Sequence, residues 1–237
     1  MIVYGRNAVR EALRGKRTVR RVWATKGAAR EDWLARAGAI VAVDSAESIA
    51  ARCASDAHQG VCAEVSEFVY ADAAQLLATA SADGVVVALD QVQDPQNLGA
   101  ICRTAECAGA AGVVLPERRS VSVTPAVFKA SAGAVEHLPV AEVRNLADFL
   151  KDAKSAGFWC YGAAAGAVAD YRQLDWGGPI VLVLGSEGRG LRSRVASSCD
   201  ALIAIPLRGR IESLSVSAAA AVLLYAATAG RESAAST

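Results

Sequence analysis

The chain has 237 residues, 53% of them apolar but only 5% aromatic, so its core must be built from Ala, Val, Leu and Ile. That suffices for one large or two small α/β domains. No apolar run approaches the ~18 residues of a membrane span, and the six cysteines form no C-x-x-C pair. A disulfide framework, a zinc site and a signal peptide are therefore not expected, and a soluble cytoplasmic protein with reduced thiols and no metal is.

The net charge of +1 conceals an asymmetry. Residues 1–30 carry nine Lys or Arg (Arg6, Arg10, Arg14, Lys16, Arg17, Arg20, Arg21, Lys26, Arg30) against Glu11 alone, whereas residues 31–82 carry Arg36 and Arg52 against eight acids. A concentrated basic segment suggests a polyanion contact, since each neutralised phosphate releases counterions. The competing reading is a solvated helix whose charges meet neighbouring acids.

In chain order, Tyr4-Gly5-Arg6-Asn7 followed by Ala8, Val9, Ala12 and Leu13 predicts an N-capped amphipathic helix ending near Gly15. Val19 to Ala24 reads as a strand, Arg30 to Ala37 as a helix closed by Gly38, and Ile40 to Val43 as a strand. Ser45 to Cys53 then reads as a helix and Val61 to Val65 as a strand. This alternation predicts a small α/β domain over 1–66. Residues 67–82, rich in Ala and acids, read as a linker or linking helix.

From residue 83 a second domain is expected, running to 237. Val85–Leu89 is a continuous apolar run suited to the middle of a parallel sheet. Helices are expected at Ala100–Ala108, from Thr124-Pro125, at Asn145–Ala156, near Arg192 and at Val216–Ala229. Strands are expected at Gly112–Leu115, Leu138–Ala141, Phe158–Ala163, Ile180–Leu184 and Ala201–Ile205. Pattern alone predicts an unknotted doubly wound sheet.

Three loop segments carry the candidate chemistry. The first runs from Asp90 through Asn97-Leu98-Gly99 to Arg103-Thr104: a strand end, a polar loop and a helix, where open α/β sheets bind ligands. Asn97 and Arg103 are six residues apart, so only an irregular helix start is expected to aim both at one site. Taken singly, Asn97 reads as a cap and Arg103 as a surface charge. The second, Leu184-Gly185-Ser186-Glu187-Gly188-Arg189-Gly190, has glycines that let backbone approach a ligand closely. It lacks the Gly-Lys-Ser/Thr of a phosphate loop and the dinucleotide spacing. The third runs from Ile205-Pro206 to Ser213-Leu214-Ser215-Val216-Ser217. Ile205 and Leu214 are suited to flanking an adenine, and the serines serve equally as caps.

Together, in this order, the segments resemble the three signature motifs of SpoU (TrmH) RNA 2′-O-ribose methyltransferases of the SPOUT superfamily. His58-Gln59-Gly60 likewise resembles a turn of their N-terminal domain. The resemblance implies a small N-terminal domain of the ribosomal-protein L30e-like kind that binds RNA, a C-terminal SPOUT domain with a trefoil knot, and S-adenosylmethionine as cofactor. It also implies a homodimer, with a ribosomal RNA guanosine in the large subunit as substrate. Arg103, Asn97, Glu187, Ser213 and Ser215 are implied as catalytic, and Leu184, Gly185, Ser186, Gly188, Ile205, Pro206, Leu214 and Ser217 as cofactor-binding. Arg6, Arg10, Arg14, Lys16, Arg17, Arg20 and Arg21 are the expected RNA grip. Ser215 departs from the family pattern Ser-Leu-Asn-Val-Ser, which keeps a non-catalytic RNA-binding relative as one alternative; a tRNA 2′-O-methyltransferase is the other. A nucleotide-dependent oxidoreductase lacks its glycine fingerprint after Val19–Ala24.

Overall fold

The computed structural model describes residues 1–37, 40–80, 82–211 and 213–229; the helix-closing role expected of Gly38 lies outside them. Two sheets organise the chain. The first has the order β1 (Ile2–Tyr4), β4 (Val61–Val65), β2 (Val19–Ala24), β3 (Val41–Val43). Strand β4 pairs antiparallel with β1 and β2, and β2 pairs parallel with β3. Alternate residues divide its two faces. Val3, Val22, Ala24, Val61 and Ala63 join Ala8, Val9 and Ala12 of helix α1 (Arg6–Arg14), while Tyr4, Trp23 and Cys62 enclose Ile49 of α3 (Ala46–Cys53). The helix expected over Arg30–Ala37 is reduced to a short 3₁₀ turn, Ala28–Arg30, and one turn of α2 (Asp32–Ala35).

The second sheet is parallel throughout, in the order β7 (Val140–Val143), β6 (Gly112–Pro116), β5 (Val85–Asp90), β10 (Ile180–Gly185), β8 (Trp159–Ala163), β11 (Ala201–Ala204), β9 (Ala169–Asp170). A central parallel strand is covered on both sides. Val85, Val87 and Leu89 face a core shared with Leu98 and Ile101 of α5 (Pro95–Cys107) and Leu223 and Leu224 of α9 (Val216–Thr228). Val86 and Ala88 face Leu146, Phe149 and Leu150 of α7 (Leu146–Ser155). After β11, α9 returns to pack on α5, β5 and β10.

The segment 67–82 is not a free tether. Phe68 stacks edge-on against Tyr70 and Phe128, the Tyr70 hydroxyl accepts from the Val123 amide at 2.9 Å, and Ala71 bridges to Ala141. Helix α4 (Ala73–Thr79) then docks on β7. The segment between α1 and β2 is tied to the second domain as well. Arg17 Nε donates to Glu136 Oε2 at 3.0 Å, and its guanidinium lies over the Phe128 ring. Among the described residues no helix is long and apolar enough to cross a membrane.

Candidate active site

Register brings the first two loops together: Gly185 at the end of β10 pairs with Asp90 at the end of β5. Asp90 is fully buried, and Arg192 holds it from across the second loop. The Arg192 amide donates to Oδ2 at 2.8 Å and its Nε to Oδ1 at 2.7 Å. After Asp90 the chain enters α5 five residues earlier than expected. Asp94 caps it by accepting from the Gln96 amide at 2.9 Å, and Pro95 occupies the first turn, where a missing N–H costs nothing.

This regular start puts Asn97 inside the helix, facing the other two loops. Its Nδ2 donates to Glu187 Oε1 at 3.2 Å and to Asp94 Oδ2 at 3.3 Å. Its Oδ1 accepts from Ser217 Oγ at 3.0 Å. Because the single Ser217 proton is committed to Asn97, the 3.1 Å contact between Ser215 Oγ and Ser217 Oγ has Ser215 as donor. The Ser215 oxygen also caps α9, accepting from the Ala218 amide at 3.1 Å. Glu187 Oε1 receives a second bond, from the Val216 amide at 3.3 Å. A carboxylate at a helix N-terminus is favoured by both the free amides and the helix dipole. Hydrogen bonds thus run Ser215, Ser217, Asn97, Glu187 and back to Val216, leaving Glu187 Oε2 unpartnered among the described residues.

The remaining expected site residues divide. Arg103 is exposed on α5 and has no hydrogen bond or ion pair among the described residues. The irregular helix start that would aim both side chains at one site is absent: α5 is regular, so Arg103 lies about 9 Å along the axis from Asn97 and about 120° around it, and the two do not meet within this chain. Ser213 is exposed and has no hydrogen bond among the described residues. Leu184 is buried in the sheet, Ile205 is half-buried, and Pro206 and Leu214 are exposed on the rim. Packing of its own loop demands glycine at Gly185: a Cβ there would stand 2.2 Å from the Gly190 carbonyl carbon. The loop closes on itself, the Gly190 amide donating to the Ser186 carbonyl at 2.9 Å, with Gly188 and Gly190 at positive φ. Asp94 and the Asp90–Arg192 pair were not anticipated as site elements, although Asp-Pro before an apolar helix is a cap signal.

The basic segment splits likewise. Arg6 pairs with Glu31 at 2.9 Å, Arg14 with Glu11 at 3.0 Å and Arg20 with Glu64 at 3.5 Å. Arg10 donates to Asn7 Oδ1 at 2.9 Å, Arg21 lies over the Trp23 ring, and Lys16 is exposed. Exposed pairs of this kind are worth at most about 1 kcal/mol and exchange readily for phosphate. Arg17 is the correction: its side chain is mostly buried against Glu136, and its Nη1 donates to the Ser66 carbonyl at 2.9 Å, so it is an internal tie and not part of an exposed grip.

Comparison with known proteins fits this architecture. Residues 84–225 match the SpoU rRNA methylase family, and residues 2–71 match the RNA 2′-O ribose methyltransferase substrate-binding family. The Bacillus subtilis protein YacO, named for the TrmH family of tRNA/rRNA methyltransferases, is 40% identical over 231 residues, 94% of this chain and 93% of its own. The AdoMet-bound rRNA methyltransferase of Sinorhizobium meliloti superposes with a TM-score of 0.77 at 28% identity, covering 95% of this chain and 85% of that one. AviRb of Streptomyces viridochromogenes, solved with AdoMet, shares the fold with a TM-score of 0.81 at 24% identity, covering 96% and 89%. The chain belongs to the SpoU (TrmH) family of RNA methyltransferases.

Proposed function

We propose that this chain transfers a methyl group from S-adenosylmethionine to the ribose 2′-hydroxyl of a guanosine in large-subunit ribosomal RNA. The observation that carries the reading is the hydrogen-bonded convergence of the three loops on Glu187 and Asn97; Arg103, further along the same helix, is engaged by no other described residue. The rim fits the cofactor. The third loop exposes Leu207, Ile211 and Leu214, apolar surface suited to an adenine ring, and the carboxylate of Glu187 suits a cationic sulfonium. When bound, S-adenosylmethionine supplies a methyl group already activated by positive charge on sulfur.

The protein's own contribution is positional and electrostatic. A guanidinium stays protonated at any physiological pH, so Arg103 does not serve as a free general base. It holds a substrate phosphate by a bidentate fork and stabilises the charge that builds on the sugar oxygen. Asn97 holds Glu187 in one rotamer, and the Ser215–Ser217 relay holds Asn97. Such a locked array fixes the reacting groups in line, which supplies much of the rate. Ser215 replaces the family's asparagine without loss of the helix cap, since Ser and Asn cap about equally well. In this reading the 1–66 domain holds RNA, with Arg6, Arg10, Arg14, Lys16, Arg20 and Arg21 outward. A second copy covers Val222 and Tyr225, which α9 leaves exposed.

The test is incubation of the protein with cofactor carrying a labelled methyl group and either ribosomal RNA or tRNA, followed by nucleoside mass spectrometry. A labelled 2′-O-methylguanosine from ribosomal RNA is the expected product. Label in tRNA alone overturns the substrate assignment, and cofactor binding without transfer to either RNA overturns the catalytic one.

A further inference from the structure

Five arginines from three separate segments line one cavity of about 290 Å³: Arg118, Arg119, Arg144, Arg192 and Arg194, together with Pro116 and Asn145. Two are occupied, Arg192 by Asp90 and Arg194 by Asp148 at 3.2 Å. Arg118, Arg119 and Arg144 are exposed and have no ion-pair or hydrogen-bond partner among the described residues. Three unpaired guanidinium groups around one cavity repel one another, and that arrangement is relieved by an anion with several acceptor oxygens.

The backbone supports the same conclusion. Arg119 adopts a left-handed φ of 62°, and Gln91 in the loop it leans on adopts 64°. Left-handed backbone costs a non-glycine residue roughly 1 kcal/mol or more and persists where the surroundings impose it. Here the Ser120 hydroxyl and the Val121 amide donate to the Val92 carbonyl at 3.1 and 2.9 Å, pinning the arginine loop to the loop that leads into Asn97.

The cavity lies on the carboxyl rim that also carries the active site. Arg118 and Arg119 follow β6, Arg144 follows β7, and Glu187 follows β10. In the order β7-β6-β5-β10, three strand spacings separate Arg144 from Glu187, roughly 14 Å. We propose that this cavity binds backbone phosphates of the RNA next to the target nucleotide, giving the catalytic domain a grip separate from that of residues 1–30. The inference rests on the RNA-methyltransferase reading above and adds a specific site to it.

The experiment compares wild-type protein with the double variant Arg118→Gln/Arg144→Gln in filter binding to total ribosomal RNA over a NaCl series. Loss of two phosphate contacts flattens the slope of log K against log [NaCl] by roughly 1.4–1.8 and weakens binding about tenfold or more at low salt. Cofactor binding by calorimetry stays at the wild-type value. The charge-retaining Arg118→Lys/Arg144→Lys keeps most of the slope, and the charge-matched control Lys151→Gln/Arg172→Gln keeps all of it. Inorganic phosphate, competing for the same cavity, weakens wild-type RNA binding more than that of the glutamine variant. An unchanged slope in the glutamine variant overturns the proposal, as does a change confined to self-association measured by light scattering. If the double variant does not fold, each single glutamine variant decides by the same criterion, with about half the change in slope. Wild-type protein that binds RNA with this slope but transfers no methyl group contradicts the methyltransferase reading and leaves the grip intact.

Discussion

The carboxamide of Asn97 donates to the Glu187 carboxylate at 3.2 Å, although ninety residues separate them. The same amide accepts from Ser217 on its other side, so one side chain joins all three loops. Removing either partner breaks the same array. Asn97→Ala and Glu187→Ala are therefore expected to be non-additive, with a coupling of about 0.5–3 kcal/mol in single-turnover methyl transfer. Strict additivity would show that the contact does not matter to the reaction.

Ser215 carries two duties, capping α9 and donating to Ser217. Ser215→Ala removes both and is expected to cost about 1 kcal/mol of stability, read from urea unfolding, together with a loss of turnover. Ser215→Asn keeps the cap and brings back the longer amide of the family pattern. It is expected to retain stability within a few tenths of a kcal/mol and to match or exceed wild-type turnover. Equal turnover loss in both variants would mean that the hydroxyl relay itself is required.

Arg17 and Glu136 tie the segment between α1 and β2 to the second domain, and the Glu136 side chain is 1% exposed. Arg17→Gln strands a buried carboxylate, for which about 3–5 kcal/mol is typical. Thermal unfolding should register this loss, while the salt dependence of RNA binding stays at the wild-type slope. A flattened slope without destabilisation would return Arg17 to the RNA-facing set.

Cys102, on the buried face of α5, has its thiol pushed up to about 12 by desolvation, whereas Cys107 on the same helix is exposed. The thiolate is the nucleophile, so a disulfide reagent should modify Cys107 in the native protein and reach Cys102 only on unfolding. Linkage gives the sign of the pH effect. Above about pH 8.5 the unfolded chain releases the Cys102 proton and the folded chain keeps it, so stability falls as pH rises from there toward 12. Cys102→Ala should flatten that alkaline decline.

Much of this architecture is legible from local pattern. Val85–Leu89 and Ile180–Leu184 are apolar runs with no polar face, and both become central strands buried on two sides. The short strands β1 and β9, three and two residues long, offer no periodicity to read. Helix α5 is placed late because Asn97 and Gly99 look like loop residues. Gly99 is there because a Cβ would stand 2.4 Å from the Ala130 side chain, a packing demand invisible without α6 (Pro125–Ala130). The meeting of Ser217 with Asn97, 120 residues apart, depends on strand order, which local pattern does not encode. Only the motif resemblance anticipates that meeting, and nothing in the sequence groups Arg118, Arg119 and Arg144.

The central claim is that Arg103 holds the RNA phosphate at the reacting ribose while the Asn97–Glu187 array orders the pocket. Single-turnover methylation of ribosomal RNA by Arg103→Lys, with cofactor and RNA saturating, tests it most directly, because lysine keeps the charge and loses the planar fork. The account predicts a fall in rate of about 100-fold or more, the scale of one preorganised charge-stabilising donor, with cofactor affinity unchanged. Near-wild-type turnover would contradict it.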